Sequence, residues 1–398
     1  MPRSSPGCSP EMFFADKRRA EMAVRQEGYE HRGIHGSPTT PIGTSVEKTT
    51  VSSDSSASSP TPPTGTRPPR PTMLDVARAA GVSLKTVSRV VNGEPGVTAE
   101  TAQRVADVIG RLGFRRNDSA RLLRQGVSTG SIAFILEDVA DPFYATLARA
   151  VLDVARSHEY LVLAGCSDEN PVFEKELAQA FCARRVDGLV IVPAPGGDHR
   201  YLVAEMRMGT AVVFADRPAT GIDADTILVD NSGGVRAAVQ HLLGQGHRRL
   251  AYLGDDLRVF TSQERLAGYR EALAQAGLPV DERLVFTARP EPEFVRQALT
   301  EALAGPEPAT ALLTGNSRVT ILALHQLRAR NEQPALVGFD DFESAELLDV
   351  TVVAQDPAAI GRAAATLLFD RLAGDSRPIQ TVRLPTRLVV RGSSTRRP

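Results

Sequence analysis

Between Thr72 and Leu112 the apolar residues recur at helical spacing, and from Ser131 onward they gather into short continuous runs. The first region predicts two short helices hinged at Gly81-Val82-Ser83, with Thr72 and Ser83 as N-caps. On the second helix Lys85, Ser88, Arg89 and Asn92 fall at i, i+3, i+4 and i+7 and so share one face. Val87, Val90 and Val91 lie on the other side and are expected to pack on Leu74, Val76, Ala77 and Ala80. A third helix after Thr98 carries Val105, Val108, Ile109 and Leu112 on one face and closes a small core near Phe114. A short helix that shows donors on one face and is anchored by valines on the other can enter a DNA major groove.

The second region reads differently. The runs SIAFIL, YLVLAG, GLVIVP, AVVFAD, TILVD, RLAYLG, ATALLTG and ALVGFDD alternate with helices beginning near Tyr144, Phe173, Asn231, Glu264, Glu293 and Ser317. Such alternation predicts parallel sheets covered on both faces, a doubly wound α/β body. The ends of the runs are polar: Asp141 and Phe143, Asp168, Asp216-Arg217, Asn316 and Asp340-Asp341. Ligands bind at the C-terminal ends of strands in such sheets, where carboxylates and amides can meet hydroxyl groups and Phe143 offers an apolar face to a sugar ring.

Charge and composition refine this picture. The whole chain of 398 residues has a formal charge of −1, yet Arg67–Arg124 holds 11 Lys/Arg against 5 Asp/Glu. A basic headpiece on an acidic body suits a polyanion. From Gly36 to Pro71, 27 of 36 residues are Ser, Thr, Pro or Gly, a composition that buries too little apolar surface to order itself. The expected organisation is a Ser/Thr/Pro-rich extension over 1–71, a headpiece over 72–116, a hinge and linker over 117–130, a body over 131–392 and a tail over 393–398.

Several chemistries are argued against. Gly126-Val127-Ser128-Thr129-Gly130 has the G-x-S-x-G pattern but precedes a strand, the wrong order for a nucleophile elbow. Gly244-Gln245-Gly246 lies between a helix and a strand, the wrong order for a dinucleotide loop. Cys8, Cys166 and Cys182 form no CxxC pair, and the seven histidines show no metal spacing. No catalytic set, metal or cofactor is expected. With no apolar run of spanning length and no apolar signal core, the expected location is the cytoplasm.

The run TVSRVVN at Thr86–Asn92 strongly resembles the helix-turn-helix hallmark TVSRV-x-N of the LacI/GalR (lactose-repressor/galactose-repressor) family. The resemblance covers residues 72 to about 392, and the long N-terminal extension departs from the family pattern. It implies a body of two subdomains like a periplasmic sugar-binding protein, with a ligand cleft between them. The chain would pass between the subdomains near Val229, near Ala354 and close to the C-terminus. The implied DNA-facing set is Thr72, Ser83, Leu84, Lys85, Thr86, Ser88, Arg89 and Asn92. A hinge helix would add Asn117, Ala120 and Leu123, with Leu123 the leucine that wedges into the minor groove. The implied effector contacts are Phe143, Tyr144, Asp168, Asp216, Arg265, Asn316 and Asp340.

Departures concern the effector: Ser317 replaces an aspartate, Arg289-Pro290-Glu291-Pro292 lacks a stacking aromatic, and Asp349-Val350-Thr351 departs from a proline-containing connection. The expectation is a homodimeric repressor on a palindromic double-stranded DNA operator, controlled by a sugar or sugar phosphate. The absence of a heptad tail before Pro398 favours a dimer over a tetramer. Two alternatives stand beside it: a corepressor-type regulator with a purine-like ligand, and a solute-binding protein or α/β enzyme with an incidental helical headpiece.

Overall fold

The computed structural model describes residues 71–114, 128–304 and 306–398. The headpiece contains helices α1 (Met73–Ala80), α2 (Leu84–Asn92) and α3 (Ala99–Leu112). Thr72, Ser83 and Thr98 cap them, and Thr72 and Asp75 form a reciprocal capping box. Each helix ends at a glycine of positive φ (Gly81, Gly93, Gly113), a conformation that costs any other residue more.

Val76, Ala77, Ala80, Val87, Val105 and Val108 form the buried core, with Val90, Val91, Ile109, Leu112 and Phe114 against it. Leu74 corrects the expectation: it is 56% exposed. Met73, Val76, Ala77 and Ala80 make one helical stripe, and residue 74 lies about 100° away from its neighbour on that stripe. Met73 and Val82 pack on the core in its stead.

The body has two sheets. The first comprises β1 (Ser131–Leu136), β2 (Leu161–Cys166), β3 (Gly188–Ile191), β4 (Ala211–Ala215), β5 (Asp225–Val229) and β11 (Thr381–Leu384), in the order β11-β5-β4-β3-β1-β2 and parallel throughout. The second comprises β6 (Leu250–Gly254), β7 (Val285–Thr287), β8 (Ala311–Thr314), β9 (Ala335–Phe339), β10 (Thr351–Ala354) and β12 (Arg387–Val389), in the order β12-β10-β9-β8-β6-β7. Only β12 runs antiparallel to its neighbour. The inner strands are buried on both faces, which is why they read as continuous apolar runs and not as alternation.

Helices cover both sheets: α4 (Pro142–Ser157), α5 (Pro171–Ala183) and α6 (Val203–Arg207) on the first, then α7 (Asn231–Gly244), α8 (Phe260–Gln275), α9 (Pro292–Leu303) and α10 (Ser317–Arg330) on the second. The helix α11 (Pro357–Leu372) follows β10 but packs on α4, because Ile360, Ala364 and Leu368 share a core with Leu147 and Val151. Gly361 permits that close crossing: a Cβ there would meet the Leu147 carbonyl and sit 3.0 Å from the Ala150 methyl. The chain therefore changes subdomain after Val229, after Ala354 and between Leu384 and Arg387.

The shared strand order fixes where a ligand can enter. Within each sheet the first strand, β1 or β6, lies between the strands that follow it, so the connections diverge on either side. Such switch points leave a crevice at the C-terminal strand ends. Glu137 follows β1 and Asp255 follows β6.

Candidate functional site

A cleft between the two subdomains is lined by Glu137, Asp141, Phe143, Tyr144, Asp216 and Arg217 from the first. From the second come Asp255, Arg265, Asn316, Ser317, Arg318 and Asp340, with Gln355 at the crossing to α11. Its cavity volume is about 60 Å³, with Arg217, Arg265 and Arg318 all in the lining.

Asp141 N-caps α4 by accepting a hydrogen bond from the Phe143 amide at 2.9 Å, so Phe143 and Tyr144 begin the first helical turn facing the cleft. Their rings meet edge to face, with centroids 5.0 Å apart. Pro142 at the first helical position moves the start two residues ahead of the predicted Tyr144.

Asp216 and Arg217 terminate β4. Arg217 is buried and donates to Glu137 at 3.1 Å, Glu169 at 3.1 Å, the Tyr144 hydroxyl at 3.0 Å and the Pro193 carbonyl at 3.1 Å. Asp216 is 3% exposed and its Oδ1 has no hydrogen-bond partner. Gln355 Oε1 is a second buried acceptor without a partner. A ligand hydroxyl would satisfy either.

In the second subdomain Arg265 Nε donates to Asn231 Oδ1 at 2.8 Å and Nη1 to the Gly315 carbonyl at 2.6 Å. Its guanidinium stacks 3.8 Å from the Phe339 ring centre. Asn316 caps α10 through Val319 N and donates to Asp255 at 2.7 Å. Asp340 accepts from Ser317 N and from Gln355 Nε2.

Six of the seven expected effector positions thus converge: Phe143, Tyr144, Asp216, Arg265, Asn316 and Asp340. Asp168 does not. It has φ +50°, is exposed on the turn after β2 and is not part of the lining; the following Glu169 reaches Arg217 instead. A strand-end carboxylate was readable from the sequence, but which of two adjacent acids turns inward depends on the turn. Glu137 and Asp255, absent from the expected set, stand where β1 and β6 end at the switch points, so topology would have found them. Arg318 carried no such signal.

Burial pushes the carboxyls of Glu137, Asp141, Asp216 and Asp255 above their ordinary range, against the pull of the neighbouring arginines. For Asp216 a raised folded pKa means that ionisation costs stability, and this cost grows as pH rises from the ordinary carboxylate range through the folded value. Asp216→Asn is therefore expected to stabilise the ligand-free body, by on the order of 1 kcal/mol at neutral pH. Melting curves from acid to neutral pH check this: the variant should lose part of the wild type's downward trend, and a lower Tm at neutral pH would contradict it.

On the headpiece, Lys85 and Leu84 are exposed at the start of α2. Ser83 Oγ accepts from the Thr86 amide at 3.1 Å and lies 2.9 Å from Thr86 Oγ1, while Thr72 Oγ1 donates to Asp75, so these groups also serve as caps. Asn92 donates to Glu94 at 3.0 Å and to Ser88 at 3.4 Å. Arg89 is half-buried with its guanidinium against Gly96, where a Cβ would lie 3.3 Å from Nη1. Asn117, Ala120 and Leu123 lie outside the described residues. Among the described residues, no cluster of three His, Cys, Asp or Glu could hold a metal ion, and no helix is long and apolar enough to cross a membrane.

Comparison with known proteins joins the two parts. Residues 72–117 match the family model of bacterial regulatory proteins of the lacI family, and residues 239–394 match the periplasmic binding protein-like domain. The chain is 32% identical to HTH-type transcriptional regulator PtxS of Pseudomonas plecoglossicida, over 82% of this chain and 96% of that protein. It is equally 32% identical to HTH-type transcriptional regulator CelR of Thermobifida fusca, over 81% and 98%. A solved complex of transcriptional regulator CelR with cellobiose superposes with a TM-score of 0.59 at 29% identity, over 81% of this chain and all of that one.

Proposed function

Since the chain belongs to the LacI family of DNA-binding transcriptional regulators, we propose that it is a cytoplasmic homodimeric repressor whose operator affinity is set by a carbohydrate in the inter-subdomain cleft. The observation that carries this reading is the pair of unpartnered buried acceptors, Asp216 Oδ1 and Gln355 Oε1, where the switch points of the two sheets meet. Unsatisfied buried polar atoms cost about 1–3 kcal/mol each, and a polyhydroxyl ligand would remove that cost. CelR, a relative of this chain, is known in complex with cellobiose, which makes saccharides the first candidates here.

The mechanism is linkage between two sites. A ligand that prefers the subdomain orientation unable to bind DNA weakens operator binding, and operator weakens ligand binding by the same factor. Lys85 and Arg89 would read base edges, while Thr72, Ser83, Leu84, Thr86, Ser88 and Asn92 position the helix against the backbone. Asn117, Ala120 and Leu123 would act from the hinge, Leu123 as a wedge in the minor groove.

The test begins by selecting bound fragments from genomic DNA and then titrates the tightest fragment with and without a panel of mono- and disaccharides. A tenfold or larger loss of affinity with one sugar is the expected result. If a ligand instead tightens binding, the chain is a corepressor-type regulator, and if no sugar changes binding the effector assignment is wrong.

A further inference from the structure

Arg318, the second residue of α10, is the side chain that ties the two subdomains together across the cleft. Its Nε lies 3.1 Å from Asp141 Oδ2, Nη2 donates to Asp138 Oδ2 at 3.1 Å, and Nη1 donates to Glu137 Oε1 at 3.4 Å. The other ion pair between the subdomains among the described residues joins Arg383 of β11 to Glu264 of α8, beside the strands where the chain crosses. Arg318 thus contributes a three-pronged contact that spans the cavity itself. It lines the same small space as the unpartnered Asp216 Oδ1 and Gln355 Oε1.

The buried atoms of that space without partners are mostly acceptors, while Arg217 and Arg265 bring positive charge to the same lining. Asp216 Oδ1 and Gln355 Oε1 are both acceptors, and the groups that Arg318 holds are three carboxylates. Among the buried atoms of the lining one donor, Arg217 Nε, lacks a hydrogen bond, and it lies 3.6 Å from the Asp216 carboxylate. Arg318 lines the cavity beside Glu137 and Asp141, so a ligand there competes with it for those carboxylates. Once displaced, Arg318 leaves acceptors that only donors can satisfy.

We propose that Arg318 is a latch that closes the cleft without ligand, and that an effector releases it by donating hydrogen bonds to Glu137 and Asp141, the two of its carboxylate partners that line the cavity. This rests on the reading of the cleft as the effector site and favours occupants rich in hydrogen-bond donors, such as polyhydroxyl sugars. The energetic logic is that of a paired charge whose removal leaves its partners exposed to each other.

The latch can be tested on the full chain without DNA or sugar, so its failure is separable from failure of the effector assignment. Spin labels at Met208→Cys and Leu347→Cys, both on exposed side chains, would report the distance between subdomains, with the three native cysteines replaced by alanine. Arg318→Ala is expected to shift the distance distribution and broaden it, with Arg318→Lys intermediate. Methylguanidinium, which donates to the same carboxylates without a tether to the second subdomain, is expected at saturation to broaden the wild-type distribution toward that of the alanine variant. A distribution unchanged by Arg318→Ala would overturn the latch. A wild-type distribution unchanged by saturating methylguanidinium would overturn release by a donor.

Discussion

Arg265→Ala is expected to abolish the response of DNA binding to the cleft ligand and to destabilise the second subdomain together. The guanidinium is 6% exposed and satisfies Asn231 Oδ1 and the Gly315 carbonyl while stacking on Phe339. Removing it orphans two buried acceptors, at roughly 1–3 kcal/mol each before the lost stacking, so about 2–6 kcal/mol is at stake. The stability effect and the signalling effect must be separated. Arg265→Lys retains the charge but cannot form both hydrogen bonds in one plane, and should fold while losing ligand response. Operator affinity without ligand, measured well below Tm, should stay near wild type, because Arg265 is remote in sequence from the basic headpiece. A lysine variant that responds at wild-type ligand concentrations would remove Arg265 from the site.

The second large effect belongs to the headpiece. Arg89→Ala should cost about 1–3 kcal/mol at one guanine of the operator, the value of a bidentate arginine contact. Affinities for operator and scrambled DNA should converge, and the salt slope should fall by no more than about one. In the structure the guanidinium rests against Gly96, so the binding face is built with the arginine held beside a glycine that leaves it space. Equal discrimination by the variant and wild type would assign Arg89 to phosphate contact alone.

The sequence made some of this legible and concealed the rest for physical reasons. Inner strands such as β3, β6 and β9 announced themselves because burial on both faces forces continuous apolar runs. The strands β7, β10, β11 and β12 were not among the predicted runs, being three or four residues long; TVRL of β11 alternates half-buried and exposed like many loops. The helix α8 begins at Phe260, four residues before the predicted Glu264, because its N-cap residue Val259 offers no capping oxygen to mark the start. Capped helices were placed more closely: α10 begins at the predicted Ser317 behind Asn316.

At the site, residues that end strands could be found from the pattern, whereas Arg318 and Gln355 owe their place to the juxtaposition of the two subdomains. No local periodicity encodes a contact between residues 318 and 138. The misplaced Asp168 teaches the same point at smaller scale, since a positive φ at both Asp168 and Glu169 decides which acid faces Arg217.

The threefold passage of the chain between subdomains also bears on how the protein is made. During synthesis the first sheet can assemble β1 to β5, but the outer edge of β5 waits for β11, and the edge of β10 waits for β12. Both waiting edges belong to buried, apolar strands, DTILV and TVVA. Unpaired edges of that kind are templates for aggregation. Ribosome stalling or premature termination before Thr381 would therefore release a chain with two sticky edges at once, one on each sheet. Its yield in cells should depend on chaperone supply more steeply than on the stability of the finished body.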